Sequence, residues 1–190
     1  VFKDKIPMTQ IDLSKFSNMW YNPGNVIKRA IWYLVNIFFF KSSIPYPSKI
    51  KVILLRMFGA NVGKGVVIKP CVNIKYPWFL EIGNYSWIGE EVWIDNLADI
   101  KIGNNVCISQ GAYLCTGSHN YEKSTFDLIV KPIIIEDGVW IGAKAIILPG
   151  SRIRSHAIIG AGAVFSGLAK PYGVYFGNPA TFAFKRTVLD

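Results

Sequence analysis

The sequence predicts an all-β solenoid, a coil of three short strands per turn, preceded by a short helical segment. Three observations carry this. First, a large apolar residue returns every six positions: at Val62, Ile68 and Ile74, then Ile82, Ile88 and Ile94, then Ile102, Ile108 and Leu114, and again at Ile135, Ile141, Ile147, Ile153, Ile159 and Phe165. Twelve of these fifteen anchors are isoleucine and none is polar. Second, the residue four places after an anchor is small, from Val66, Val72 and Ser86 through Val92, Ala98, Val106, Ala112 and Ser118 to Ala163 and Ala169, with Trp78 the exception. Third, Val62 to Ile82 and Ile82 to Ile102 are each twenty residues, three hexapeptides plus two extra at one corner. A helix would repeat near 3.6 and a simple strand at 2, so a sustained period of six fits neither. It fits stacked coils, each burying its anchors only against its neighbours. Residue n then stacks on n+20 in the early coils. Glycine follows the anchor at 63, 83, 89, 103, 142 and 160, where its conformational freedom is expected to serve a tight bend.

Residues 1–24, with Pro7, Asn22, Pro23 and Gly24, have no period and read as irregular. From Asn25 to Phe40 the pattern is helical and strongly apolar, with Asn25 as cap. Its apolar run from Ala30 to Phe40 is too short to span a bilayer. A second helix is expected from Pro47 to Met57, with Gly59 past its end. Two readings compete for these helices: they cap the open end of the solenoid or pack on a partner subunit, or the first, flanked by Lys28, Arg29 and Lys41, rests in a membrane interface. The organisation expected is 1–59 irregular segment and helices, 60–180 solenoid, and 181–190 tail. The net charge of +9 suits an anionic membrane or a phosphorylated ligand. No basic stripe or recognised motif accompanies it, so nucleic acid is not an expected partner. Three cysteines, Cys71, Cys107 and Cys115, lack CxxC spacing and read as small packing residues in a reducing compartment.

The phase breaks once. After Leu114 the next anchor is due near residue 122 but falls at Ile135, so about thirteen residues are looped out within 116–131. Loops projecting from a rigid scaffold commonly carry function. His119 stands at the base of this one and is one of only two histidines; His156, in a regular repeat, is assigned no role. An imidazole titrates near working pH and suits proton removal from an attacking hydroxyl. By the twenty-residue rule Asp95 lies beneath Cys115, Asn96 beneath Thr116 and Asp99 beneath His119. Asp95 and Asn96 are expected to bind acceptor hydroxyls, and Asp95 or Asp99 to orient the imidazole, against the alternative of solvated corner residues.

The hexapeptide pattern resembles that of the left-handed parallel β-helix acyltransferases over about residues 60–180. The stretch Thr116 to Tyr121, followed by Pro132 and Glu136 to Ala143, resembles the catalytic stretch of acetyltransferases acting on galactosides, maltose and Nod factors. The residues Trp93 to Ala98, Cys107 to Tyr121 and the apolar N-terminal helix look closest to the colanic acid biosynthesis acetyltransferases. The resemblance implies an acetyl-CoA-dependent O-acetyltransferase for a sugar or glycolipid precursor in exopolysaccharide or capsule assembly. It implies His119 as general base, no metal, a homotrimer with sites between subunits, and a cytoplasmic location near the membrane. It also implies a coenzyme A groove, with pantetheine on the amides of Ala143 and Ala161, Gly142 and Gly160 permitting close approach, and Trp140 nearby. The run Tyr175 to Ala180 matches the family's closing G-x-P-A turn. Where the family has Thr-Lys-Asp this chain has Ser166, Gly167 and Leu168, leaving Lys170, Lys185 and Arg186 to meet the phosphates. Zinc enzymes of this fold use three histidines, more than this chain has. Serine acetyltransferases carry an extended helical domain before the repeats that is not seen here. A non-catalytic scaffold, or an acyltransferase for another small acceptor, remains the alternative.

Overall fold

The computed structural model describes residues 9–189. The first eight residues of the segment expected to be irregular, Pro7 among them, lie outside the described residues.

The anchors form a parallel β-solenoid of three faces. The first face carries Asn61–Val62, Leu80–Ile82, Ile100–Ile102, Ile133–Ile135, Arg152–Ile153 and Leu168–Ala169 in that spatial order. The second carries Val67–Ile68, Trp87–Ile88, Cys107–Ile108, Trp140–Ile141, Ile158–Ile159 and Gly173–Gly177. The third carries Asn73–Ile74, Trp93–Asp95, Tyr113–Cys115, Ile146–Ile147 and Val164–Phe165. Every anchor is buried, as are the small residues Val72, Val92, Ala112, Ala145, Ala157 and Ala163 beside them. Truncating one such isoleucine to alanine costs about 2–5 kcal/mol.

The register confirms the n+20 stacking in the early coils: Val62 pairs with Ile82, Ile82 with Ile102 and Asp95 with Cys115. After the break the step shortens, with Ile135 on Ile153 and Ile141 on Ile159. The small-residue rule fails at Ala98, half-buried, and Ser118, exposed. At those corners the buried positions belong instead to Asn96 and Thr116, two residues after the anchor.

The glycine expectation needs correcting. Gly63, Gly83, Gly89, Gly103, Gly142 and Gly160 do not adopt positive φ. They are small because the next coil leaves no room: a Cβ on Gly83 would lie 2.5 Å from the Gly103 carbonyl carbon. The left-handed residue comes two positions later, and is often not glycine: Cys71, Tyr85, Glu91, Asn105, Lys144 and His156 all have φ between 53° and 60°. Each such residue costs about 1–2 kcal/mol, which the stacked ladder overrides.

At the N-terminal end, α1 (Val26–Val35) is capped by the Asn25 side chain, which accepts from the N–H groups of Ile27 and Lys28. It continues as a π-helical turn, Asn36–Phe40, closed by the Lys41 N–H donating to the Asn36 carbonyl. That turn lets Asn36 reach the first coil, donating to Asn73 Oδ1 (2.8 Å), while Trp32 Nε1 donates to the Ile74 carbonyl (2.9 Å). α2 (Ser48–Met57) buries Val52 and Leu55. Its Lys51 is fully buried, with Nζ donating to the Lys69 carbonyl at 2.7 Å, and burial pushes its pKa down. The inner faces of both helices thus cap the solenoid. Their outer faces expose Ile27, Ile31, Leu34, Phe38, Ile53 and Met57. Among the described residues no helix is long and apolar enough to cross a membrane. At the other end, Ala180–Lys185 folds back antiparallel on Gly173–Gly177, so the first half of the expected tail, residues 181–185, is a sheet strand.

Candidate active site

The phase break is a β-hairpin. Gly117–His119 pairs antiparallel with Leu128–Val130, and the chain rejoins the coil where the Lys131 N–H donates to the Thr116 carbonyl. His119 Nδ1 lies 2.9 Å from the Phe126 carbonyl oxygen. A carbonyl only accepts, so Nδ1 carries a proton, and in the neutral imidazole the lone pair is on Nε2. The ring stacks on Phe126 (4.4 Å between centroids, 10° between planes) and meets Phe16 at 5.8 Å. Phe16 comes from the segment before α1, which is strapped to the hairpin by the Asp12 N–H donating to the Ser124 carbonyl. Sequence reasoning missed both aromatics. Phe126 sits in the flagged loop; Phe16 lies in a stretch with no period, and nothing local marks it.

The residues expected beneath the histidine have other occupations. The stacking rule ends at Thr116, because the hairpin leaves the coil there. The Asp99 carbonyl accepts from the Ile133 N–H, so Ile133 and not His119 occupies that step. Asn96 is fully buried and clamps the backbone of one residue on both sides: Oδ1 accepts from the Tyr76 N–H (3.0 Å) and Nδ2 donates to the Tyr76 carbonyl (2.6 Å). That leaves it no face for an acceptor. Asp95, 8 % exposed, is held between Lys75 Nζ (2.9 Å) and the Tyr113 hydroxyl (3.1 Å). Burial, with hydrogen bonds to Cys115 and Asp95, pushes the Tyr113 phenol up. The imidazole is oriented by the Phe126 carbonyl, in the place expected for Asp95 or Asp99. The Cys115 thiol donates to the Gly117 carbonyl.

On the second face a groove of about 420 Å³ is lined by Trp140, Gly142, Gly160, Ala161, Phe176 and Arg186, among others. Four residues expected on the donor side, Trp140, Gly142, Ala161 and Arg186, therefore share one groove. Ala143 lies at the adjoining corner, its carbonyl accepting from the Gly162 N–H. Among the described residues neither the Ala143 nor the Ala161 N–H donates to another backbone group, so both are available to an amide-rich ligand. Gly142 and Gly160 serve packing: a Cβ on Gly142 would lie 2.5 Å from the Ala161 nitrogen, and one on Gly160 would strike the Phe176 ring. Trp140 Nε1 donates to Ser109 Oγ (2.9 Å). The Arg186 guanidinium reaches the His156 and Gly138 carbonyls. Lys185 borders the neighbouring surface with Tyr172 and Thr187, and Lys170 Nζ sits over the Phe182 ring at 5.8 Å.

The bacterial transferase hexapeptide (six repeats) pattern matches residues 132–167. The chain is 39% identical to the colanic acid biosynthesis acetyltransferase WcaF of Escherichia coli K12, over 94% of this chain and 99% of that protein. It is 28% identical to the galactoside O-acetyltransferase of the same organism, over 74% of this chain and 70% of that one. Among solved structures, a hexapeptide-repeat acetyltransferase from Vibrio cholerae superposes with a TM-score of 0.76 at 23% identity, covering 84% of this chain and 90% of that chain. The solenoid, the hairpin bearing His119 and the near full-length match to WcaF together place this chain in the hexapeptide-repeat acetyltransferase family.

Proposed function

We propose that this acetyl-CoA-dependent acetyltransferase delivers its acetyl group to a sugar hydroxyl, with His119 as general base. The observation that carries the reading is the Nδ1 contact to the Phe126 carbonyl, which in the neutral imidazole puts the basic lone pair on Nε2, on a hairpin rooted in the solenoid. Acetyl-CoA supplies an activated thioester; the groove of Trp140, Ala161 and Arg186, with the free N–H of Ala143, would hold it. Nε2 takes the proton from the sugar hydroxyl as its oxygen bonds to the acetyl carbonyl carbon. The C–S bond then breaks, and the imidazolium returns the proton to the departing thiolate. Phe126 and Phe16 fix the ring and shield it from water. The WcaF and galactoside O-acetyltransferase likenesses support the sugar acceptor and a role in polysaccharide assembly.

The distribution of outward residues supports a homotrimer with sites between subunits. The first face is charged, with ion pairs Glu81–Lys101 (3.0 Å) and Glu136–Arg152 (2.9 Å). The second presents Trp87, Cys107, Trp140 and Ile158, and the third Trp93, Tyr113, Ile146 and Val164. A closed ring needs two different contact patches per subunit, and two apolar faces beside one solvated face provide them. The donor groove then lies on a face turned toward a neighbour. The apolar outer face of α1 and the net charge of +9 support peripheral contact with an anionic membrane. Thiol release from acetyl-CoA, screened over free sugars and glycolipid precursors, tests the acceptor class. Hydrolysis without transfer to any sugar would overturn it.

A further inference from the structure

A second concavity, separate from the donor groove, lies between α1 and the third face. It holds about 310 Å³ and is lined by Arg29, Lys41, Lys75, Tyr33, Tyr76 and Trp93, among others. Three cations share it. Asp95 offsets Lys75, but Arg29 and Lys41 have no acidic partner among the described residues. Arg29 Nε is buried and lacks a hydrogen-bond partner among them. A buried donor left without a partner is unfavourable, and Asp95, paired with Lys75, does not relieve it. The rings supply flat apolar surface: Trp93 stacks on Tyr113 (4.7 Å) and Tyr76 on Trp78 (5.1 Å).

Resting on the sugar-acceptor reading above, we propose that this cleft is a subsite for a diphosphate on the acceptor, so that the substrate is a glycosyl diphosphate and not a neutral sugar. The charge count favours this class. Two uncompensated cations match the charge of a diphosphate diester, whereas a single carboxylate would leave one cation unpaired. Guanidinium and ammonium groups are suited to phosphate oxygens. The aromatic walls suit the face of an attached sugar ring.

Position favours it too. Lys75 pairs with Asp95 one coil above it, and Asp95 stacks under Cys115 in the next coil. At a coil spacing of about 4.8 Å, Lys75 lies about 10 Å below the strand that feeds the His119 hairpin, and Arg29 and Lys41 line the same cleft. A sugar unit or two spans that distance, with the diphosphate at one end and the reacting hydroxyl at the other. The diphosphate could belong to a nucleotide sugar or to a prenyl-linked sugar; the chemistry at the cleft is the same.

The test uses the full chain saturated with coenzyme A, so that the donor's own phosphate contacts are filled. Inorganic pyrophosphate titrated calorimetrically binds wild type with one site per subunit. Binding weakens at least tenfold in Arg29→Gln/Lys41→Gln and is unchanged in Lys64→Gln, with thermal unfolding confirming that each variant folds. In thiol-release kinetics the KM for a sugar diphosphate falls at least tenfold below that of the same free sugar, and the double variant brings that ratio near one. Preference for the nucleotide or for the prenyl form identifies the source. Absence of pyrophosphate binding in wild type, binding that survives the double variant, or equal KM values for linked and free sugar would each overturn the subsite. Pyrophosphate binding as predicted, with thiol release to neither kind of sugar, would uphold the anion site and remove the sugar-acceptor reading instead.

Discussion

Gly142 and Gly162 are both corner glycines, and the structure assigns them opposite reasons for being glycine. A Cβ on Gly142 falls 2.5 Å from the Ala161 nitrogen, 2.7 Å from the Gly160 carbonyl carbon and 2.9 Å from the Ala161 Cα. These are backbone atoms of the next coil, held by the ladder, and none can rotate aside. Comfortable contact needs about 3.5 Å, so two coils must part by close to 1 Å at this corner. Overpacking of this kind costs about 1–3 kcal/mol, and a backbone obstacle puts Gly142→Ala at the upper end. Gly162 has φ +68°, and nothing lies within 4 Å of where a Cβ would stand. Gly162→Ala meets only the left-handed penalty of about 1–2 kcal/mol, reduced by about 0.4–1 kcal/mol through the stiffer unfolded chain. Urea unfolding at matched protein concentration should separate the two variants by about 2 kcal/mol, from roughly 3 against roughly 1. A Gly162→Ala variant as damaged as Gly142→Ala would refute the claim that coil-to-coil contact, and not bend flexibility, selects these glycines.

Asn96→Ala removes the partners of both the Tyr76 N–H and the Tyr76 carbonyl and should lower stability by about 2–4 kcal/mol, measured by the same unfolding; a change under about 0.5 kcal/mol would remove the clamp. Glu136 titrates below its ordinary range: burial raises it, but Arg152 and the N–H and hydroxyl of Ser155 outweigh burial. A depressed carboxylate adds stability above its unfolded pKa and loses it as pH falls through the folded value. Wild type should therefore exceed Glu136→Gln in stability at about pH 7, with the gap closing toward about pH 3; a gap that widens on acidification would contradict this.

The scaffold was legible because one physical requirement, an inward anchor in every hexapeptide, repeats fifteen times. Noise at Val62 or Trp78 cannot hide it. The hairpin was legible as an interruption, which is how His119 came forward. What surrounds His119 was not. Stacking arithmetic holds only while the chain stays in the coil, and Thr116 is where it leaves, so Asp99 was placed under the wrong residue. Asn96 shows a related limit: a polar residue at a corner reads equally as ligand or as clamp until its amide is seen to hold Tyr76. Phe16 reaches the imidazole from far away in sequence, and no periodicity records such a contact.

The central claim is that Nε2 of His119 accepts the acceptor's proton. Single-turnover thiol release from acetyl-CoA by His119→Ala, with an active sugar acceptor, tests it most directly. Transfer should fall by about 10²–10⁴, with coenzyme A affinity and the oligomer intact. Full-rate transfer by a folded His119→Ala protein would contradict the account.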